Sequence, residues 1–259
     1  MAAVIFDLDG VLLESEPLWA VTRREVADAL GGRWRPQAEA AMKGMNTAEW
    51  SAYMQRHLAI SRSSEEIVDA VLGRMRERYR KDLPVIDGAH AAVERLGGRW
   101  QLALASSSNS ALIDLVLDLT GWSSRFAVTV SSEEVARGKP APDVYLEAAR
   151  RLETHAASCA AIEDSASGIR SAAAAGTRVV ALPSPGVPVG LDELALTATV
   201  LASPAQLAAE VVGPLLSNTV PGRPLEHAVA AARHASFGLR RAGGLSFGSE
   251  PGPGLSDGG

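Results

Sequence analysis

Two aspartates, Asp7 and Asp9, close the apolar run Ala2 to Phe6, and Gly10 follows at once. A short buried strand that runs into a tight turn at glycine presents this acidic pair at its carboxyl end. Other polar groups sit at comparable places. Ser106 follows the run Gln101 to Ala105, Gly138-Lys139-Pro140 precedes a helical segment, and Glu163-Asp164 follows Ser158 to Ile162. Together they offer four carboxylates, one hydroxyl and one ammonium. Carboxylates gathered in a low-dielectric crevice repel one another, so Asp7, Asp9, Glu163 and Asp164 call for a bound cation. All-oxygen ligands without a histidine or cysteine cluster point to a hard ion, and Mg²⁺ is the usual one where phosphate oxygens complete the shell.

Phosphoryl transfer asks for positioning, charge neutralisation and an in-line nucleophile. A carboxylate can be that nucleophile, forming an acyl phosphate that water later cleaves, and Asp7 is the candidate. Residues i and i+2 of an extended segment point to one side, which puts Asp9 near the leaving oxygen as acid and then base. Lys139 would meet Asp7 and a phosphate. The hydroxyl and backbone N–H groups of Ser106 and Ser107, just ahead of a helix N-terminus, suit the same phosphate.

The elements that must position these groups are legible as a change of texture along the chain. From Ser15 to about Leu83 the apolar residues keep helical spacing: Leu18, Val21, Val26, Ala29 and Leu30, then Ile67, Val71, Met75 and Tyr79. From Gly88 onward short apolar runs alternate with helical segments. The strand candidates are Gln101 to Ala105, Phe126 to Val130, Ser158 to Ile162, Arg178 to Leu182 and Thr199 to Ala202. The helix candidates are Ser110 to Thr120, Asp143 to Leu152, Ser165 to Ala175 and Ala205 to Val212. Such alternation implies βαβ crossovers and a parallel sheet. The first strand could bury nothing alone, so it belongs to that sheet and the helical block is an insertion into an α/β core. After Gly213 the chain is rich in Gly, Pro and Ser; a helix is expected around Leu225 to Arg240 and disorder from Gly248 to Gly259.

Composition narrows the function. A formal charge of −5 provides no electrostatic footprint for nucleic acid. The single cysteine, Cys159, excludes an intramolecular disulfide framework and a multi-cysteine metal site. No run reaches the length of a membrane span, and the first residues lack the features of a signal peptide, so a cytoplasmic protein is expected.

The string Asp7-Leu8-Asp9-Gly10-Val11-Leu12-Leu13-Glu14-Ser15-Glu16-Pro17, with Ser106, with Lys139 in Gly-Lys-Pro-Ala-Pro-Asp, and with Ile162-Glu163-Asp164-Ser165-Ala166-Ser167-Gly168, resembles the haloacid dehalogenase-like phosphohydrolases. The nearest subgroup holds β-phosphoglucomutase and the sugar-phosphate phosphatases. The resemblance runs over residues 1 to 212, and its specificity lies in four motifs in order. It implies an α/β fold with a Rossmann-like parallel sheet core and an inserted α-helical cap domain: core at 1–14 and 85–212, cap at 15–84, and an extension at 213–259. It implies Mg²⁺ held by Asp7, the Asp9 carbonyl and Asp164, with Glu163 in support, Ser106 on the transferring phosphoryl group and Lys139 neutralising charge.

The expected substrate is a small phosphorylated metabolite of the sugar or polyol phosphate class, hydrolysed by a monomer. Substrate contacts are expected from Ser107, Ser15, Trp19 and Thr47; Trp19 and Trp50 could both face the substrate from the cap, although aromatic residues on amphipathic helices more often serve the core. The alternating Arg74, Arg76, Arg78 and Arg80 read as a solvated helix surface. Mutases of the subgroup carry a histidine where this chain has Trp19 and a cap-loop arginine where it reads Gly44-Met45-Asn46-Thr47, which disfavours phosphoglucomutase. Dehalogenases of the family lack the second aspartate found here as Asp9. A silent binding protein would have little reason to assemble the full set.

Overall fold

The computed structural model describes residues 2–184 and 189–217. The helix expected over 225–240 and the polar end lie outside the described residues. Six strands, β1 (Ala3–Phe6), β2 (Gln101–Ser106), β3 (Phe126–Ser131), β4 (Cys159–Glu163), β5 (Arg178–Ala181) and β6 (Thr199–Val200), form one parallel sheet in the order β3-β2-β1-β4-β5-β6. The core is thus α/β and Rossmann-like. Strand β1 is central: Phe6 lies level with Leu104 on one side and Ile162 on the other. Strand order reverses beside β1, so the carboxyl ends of β1, β2 and β4 open the crevice where such sheets bind ligands.

The sheet is buried on both faces, which is why its strands read as continuous apolar runs. Val4, Phe6, Leu102, Leu104 and Ile162 face a core completed by α5 (Ala89–Gly97) and α6 (Ser110–Thr120). Ala3, Ile5, Ala103, Ala105, Cys159 and Ala161 face the other way, towards α7 (Asp143–Arg151) and α8 (Ala166–Ala174). The alanines on this second face let the helices sit close. Cys159 is fully buried, and burial pushes its thiol up to about 11, as suits packing rather than reaction.

Four helices lie between β1 and α5: α1 (Glu16–Ala29), α2 (Ala38–Met42), α3 (Thr47–His57) and α4 (Ser64–Lys81). Capping boxes start two of them, Asn46 with Glu49 at α3 and Ser63 with Glu66 at α4. In α4 the buried face is Ile67, Val71, Leu72, Met75 and Tyr79, as its periodicity predicts. Helix α1 departs from the expected face. Val21 is exposed, and the buried residues are Trp19, Thr22, Arg23, Val26 and Ala27. The helix turns a tryptophan and an arginine inward because it packs over the polar crevice rather than over the sheet.

Past β5 come α9 (Leu191–Leu194) and α10 (Ala209–Leu216). The last helix starts and ends later than the expected Ala205 to Val212. Pro204 opens a single 3₁₀ turn, Leu207 is extended, and the last turn continues through Gly213-Pro214, with Ser217 N–H donating to Gly213 O at 3.0 Å. The boundary expected at Gly213 therefore falls inside a helix. Among the described residues no helix is long and apolar enough to cross a membrane.

Candidate active site

Asp7 is the first residue beyond β1, and its N–H donates to Ile162 O at 3.0 Å, which fastens it beside the end of β4. Lys139 reaches into the crevice and donates to Asp7 Oδ1 at 2.7 Å and to Glu163 Oε1 at 2.6 Å. The Tyr145 hydroxyl donates to the same Glu163 oxygen at 2.6 Å. Glu163 Oε2 accepts from Asp164 N–H, Ser165 N–H and the Ser165 hydroxyl at 3.2–3.4 Å. Both oxygens of Glu163 are therefore occupied by protein donors, and its carboxylate organises the loop around it. Asp164 points to the Gly10 turn, where φ is 83° and the space a Cβ would need holds the Asp164 carboxylate. Gly168 in α8 leaves the same kind of room for the Glu163 carboxylate.

Asp7, Glu163 and Asp164 place carboxylate oxygens within 4.8 Å of one another, all buried. One ammonium, Lys139, answers three carboxylates. Burial alone would lower the Lys139 ammonium, but Asp7 and Glu163 outweigh it and hold it above its ordinary range. Burial pushes Asp7 up to about 7; Lys139 opposes the shift, and Glu163 and Asp9 add to it. Burial, with Glu163 and Asp7, pushes Asp164 up to about 9. A cluster short of positive charge, made of oxygen donors and closed by two glycines that admit no side chain, fits a hard divalent cation.

Asp9 is held differently. The Ser15 hydroxyl donates to Asp9 Oδ1, and the Ser108 hydroxyl donates to Oδ2 at 2.6 Å. Asp7, Asp9, Lys139 and Asp164 line one side of a cavity of about 290 Å³, whose other side is built from α1, α3 and the loop between α2 and α3. That volume suits a small metabolite.

Of the residues expected at the substrate, Ser107, Trp19 and Thr47 line this cavity, and so does Trp50. Two do not. Ser15 is fully buried, and its hydroxyl donates to Asp9. Ser106 is also fully buried as the last residue of β2, and its hydroxyl accepts from Ser108 N–H at 3.0 Å; the hydroxyl that reaches Asp9 belongs to Ser108. Arg74 and Arg78 bind Glu25 on the exterior and stay away from the cavity. Two arginines line it, Arg23 and Arg170, joined there by Glu16 and Lys43; Arg170 is half exposed and pairs with Glu193 at 2.8 Å, whereas Arg23 is buried. Glu16 stands in the first motif string, but Arg23, Lys43 and Arg170 stand in none, although Trp19 and Arg23 at i and i+4 share a helix face, a signal that could have found Arg23.

Fold and site define an α/β enzyme with a cluster of three buried carboxylates at the switch point of a parallel sheet. Residues 1–176 match the family described as haloacid dehalogenase-like hydrolase, and the chain belongs to that family. The hexitol phosphatase B of Escherichia coli K12 is 31% identical over 71% of this chain and 84% of its own length. The bifunctional riboflavin kinase/FMN phosphatase of Arabidopsis thaliana is 31% identical over 71% of this chain, which spans only 48% of that protein. Among solved structures, a HAD family hydrolase from Deinococcus radiodurans R1 with bound phosphate and sodium is 29% identical, with a TM-score of 0.60 over 84% of this chain and 98% of its own.

Proposed function

We propose that this hydrolase is a Mg²⁺-dependent phosphatase that cleaves a small phosphomonoester of the sugar or polyol phosphate class through a phosphoenzyme on Asp7. The observation that carries the reading is the state of the two Asp7 oxygens. Lys139 occupies Oδ1 at 2.7 Å, while Oδ2 has no hydrogen-bond donor among the described residues and belongs to a cavity-lining side chain. Attack by Oδ2 on phosphorus forms the Asp7 O–P bond as the ester P–O bond breaks, and Asp9 gives its proton to the leaving alkoxide. Water then attacks phosphorus, Asp9 takes a proton from it, and the Asp7 O–P bond breaks to release inorganic phosphate.

Ser15 and Ser108 keep Asp9 in place through both steps. Lys139 offsets charge on Asp7 and on the phosphoryl oxygens, and the N–H groups ahead of α6 receive the phosphate. Bound Mg²⁺ supplies further neutralisation of the phosphoryl oxygens. Asp7, the Asp9 carbonyl and Asp164 are the residues that would hold it, with Glu163 acting through Lys139 and the β4–α8 loop. Residues 15–84 serve as the cap that excludes water from part of the cycle. The hexitol phosphatase among the relatives supports a phosphorylated carbohydrate derivative as substrate.

Phosphate release from a panel of sugar and polyol phosphates, with and without Mg²⁺, tests the reading. Release that needs Mg²⁺ and vanishes in Asp7→Asn is the expected outcome. No release from any phosphomonoester, or near-normal rates in Asp7→Asn, would reject it.

A further inference from the structure

Arg23 is 7% exposed, lines the cavity, and has no hydrogen bond or ion pair to any described residue. Its guanidinium carbon lies 4.7 Å from the ring centre of Trp19 and 5.4 Å from that of Trp50. The two rings fix the group and attract its charge, but neither offers an in-plane lone pair to its five N–H donors. Its Nε is buried without a partner. A buried cation left in this state is costly, and burial lowers its pKa to about 10, with Glu16 and Asp9 opposing that shift. Glu16 lines the same cavity but makes no ion pair with Arg23, and Lys43 adds a second cation near it.

We infer that Arg23 is a specificity-determining residue that receives a second oxyanion of the substrate, a carboxylate or a second phosphate, at the end remote from the scissile phosphoryl group. The planar fork of a guanidinium held against two neighbouring aromatic rings matches such a group in two parallel hydrogen bonds. A neutral hydroxyl would satisfy one donor and leave the charge unanswered. The inference rests on the proposed phosphatase reading only in taking the Asp7 end of the cavity as the phosphate site; it narrows the substrate class to phosphomonoesters that carry another anionic group.

The test uses pairs of ligands of equal length that differ in the remote group: glucitol 6-phosphate against gluconate 6-phosphate, and glycerol 3-phosphate against glycerate 3-phosphate. Affinities are measured on the Asp7→Asn protein, so that no turnover is needed, and kcat/KM values on the otherwise native enzyme. At least one acid is expected to bind about tenfold or more tightly than its alcohol, and Arg23→Met is expected to erase that ratio, with Arg23→Lys restoring part of it. Arg23→Gln stands in if the methionine variant does not fold. A merely structural arginine would change stability in these variants and leave the acid-to-alcohol ratio as it was. An unchanged ratio, or no preference for either acid, overturns the inference even if phosphate is released normally. A preference that depends on Arg23 without any hydrolysis upholds the inference and rejects the phosphatase reading. Absence of binding by all four ligands overturns the inference.

Discussion

Lys139 is the one buried ammonium facing Asp7 and Glu163, so its removal strands two carboxylates in the interior. Breaking a buried pair by deleting one partner costs about 3–5 kcal/mol, far more than a surface ion pair is worth. Lys139→Met should therefore lower stability by about that amount and abolish turnover. Without the ammonium, which opposes the upward shift of Asp7, Asp7 takes up a proton more readily in the folded protein, so the deficit should shrink at acidic pH. Urea unfolding of native and variant protein at about pH 5 and pH 8 checks this; equal deficits at both would show that charge is not the cause. Tyr145→Phe removes one donor to Glu163 at 2.6 Å and should cost about 1–3 kcal/mol, read from the same unfolding curves. Tyr145 and Ser108 show what a linear reading misses. Asp7 and Asp164 stood out because motif and strand end coincide, and Lys139 because its motif precedes a helix, whereas Tyr145 looks like any aromatic on an amphipathic helix. Likewise Ser106 and Ser108 differ only in which side of a turn they occupy, and that is settled by how the β2 strand ends.

At the scale of elements, the site depends on a loop and a helix approaching carboxylates closely. Gly168 lies in α8, and an added Cβ there would occupy the Glu163 carboxylate. Because α8 packs on β4 and β5, the helix cannot retreat without opening the alanine-lined face of the sheet. Gly168→Ala should thus cost about 1–3 kcal/mol and weaken Mg²⁺ binding as Glu163 and Asp164 shift. Calorimetric titration with Mg²⁺ beside thermal unfolding checks both parts; an unaltered affinity would mean the loop adapts. The strands themselves were readable to within a residue or two because a sheet buried on both faces leaves unbroken apolar runs. The inward face of α1 was not. Its periodicity suggests Leu18 and Val21, but polar Arg23 is buried because the helix covers a crevice, and hydrophobic spacing cannot register a face whose partner is polar.

For the molecule as a whole, the buried carboxylates tie stability to pH and to metal. Asp7 at about 7 and Asp164 at about 9 both lie above their ordinary value of 3.8. Between those limits the folded protein holds protons that the unfolded chain has released. Stability contributed by these two groups is then fully present below about pH 4 and is lost as pH rises through about 7 and 9. At the proposed Mg²⁺ site a divalent cation would act in the opposite sense, since it would bind the ionised cluster, which only the folded chain assembles, and its stabilisation would grow with the ratio of its concentration to its Kd. The melting temperature should therefore rise more on adding Mg²⁺ at about pH 8 than at about pH 5, and chelator should reverse the gain. Other acids on the surface also shape the pH profile, so the decisive comparison is with Asp164→Asn. That variant removes the more strongly shifted of the two aspartates together with a carboxylate of the acidic cluster. It should be more stable than the native protein at alkaline pH without metal, and should lose most of the Mg²⁺ increment. An Asp164→Asn protein that gained as much from Mg²⁺ as the native chain would place the cation elsewhere.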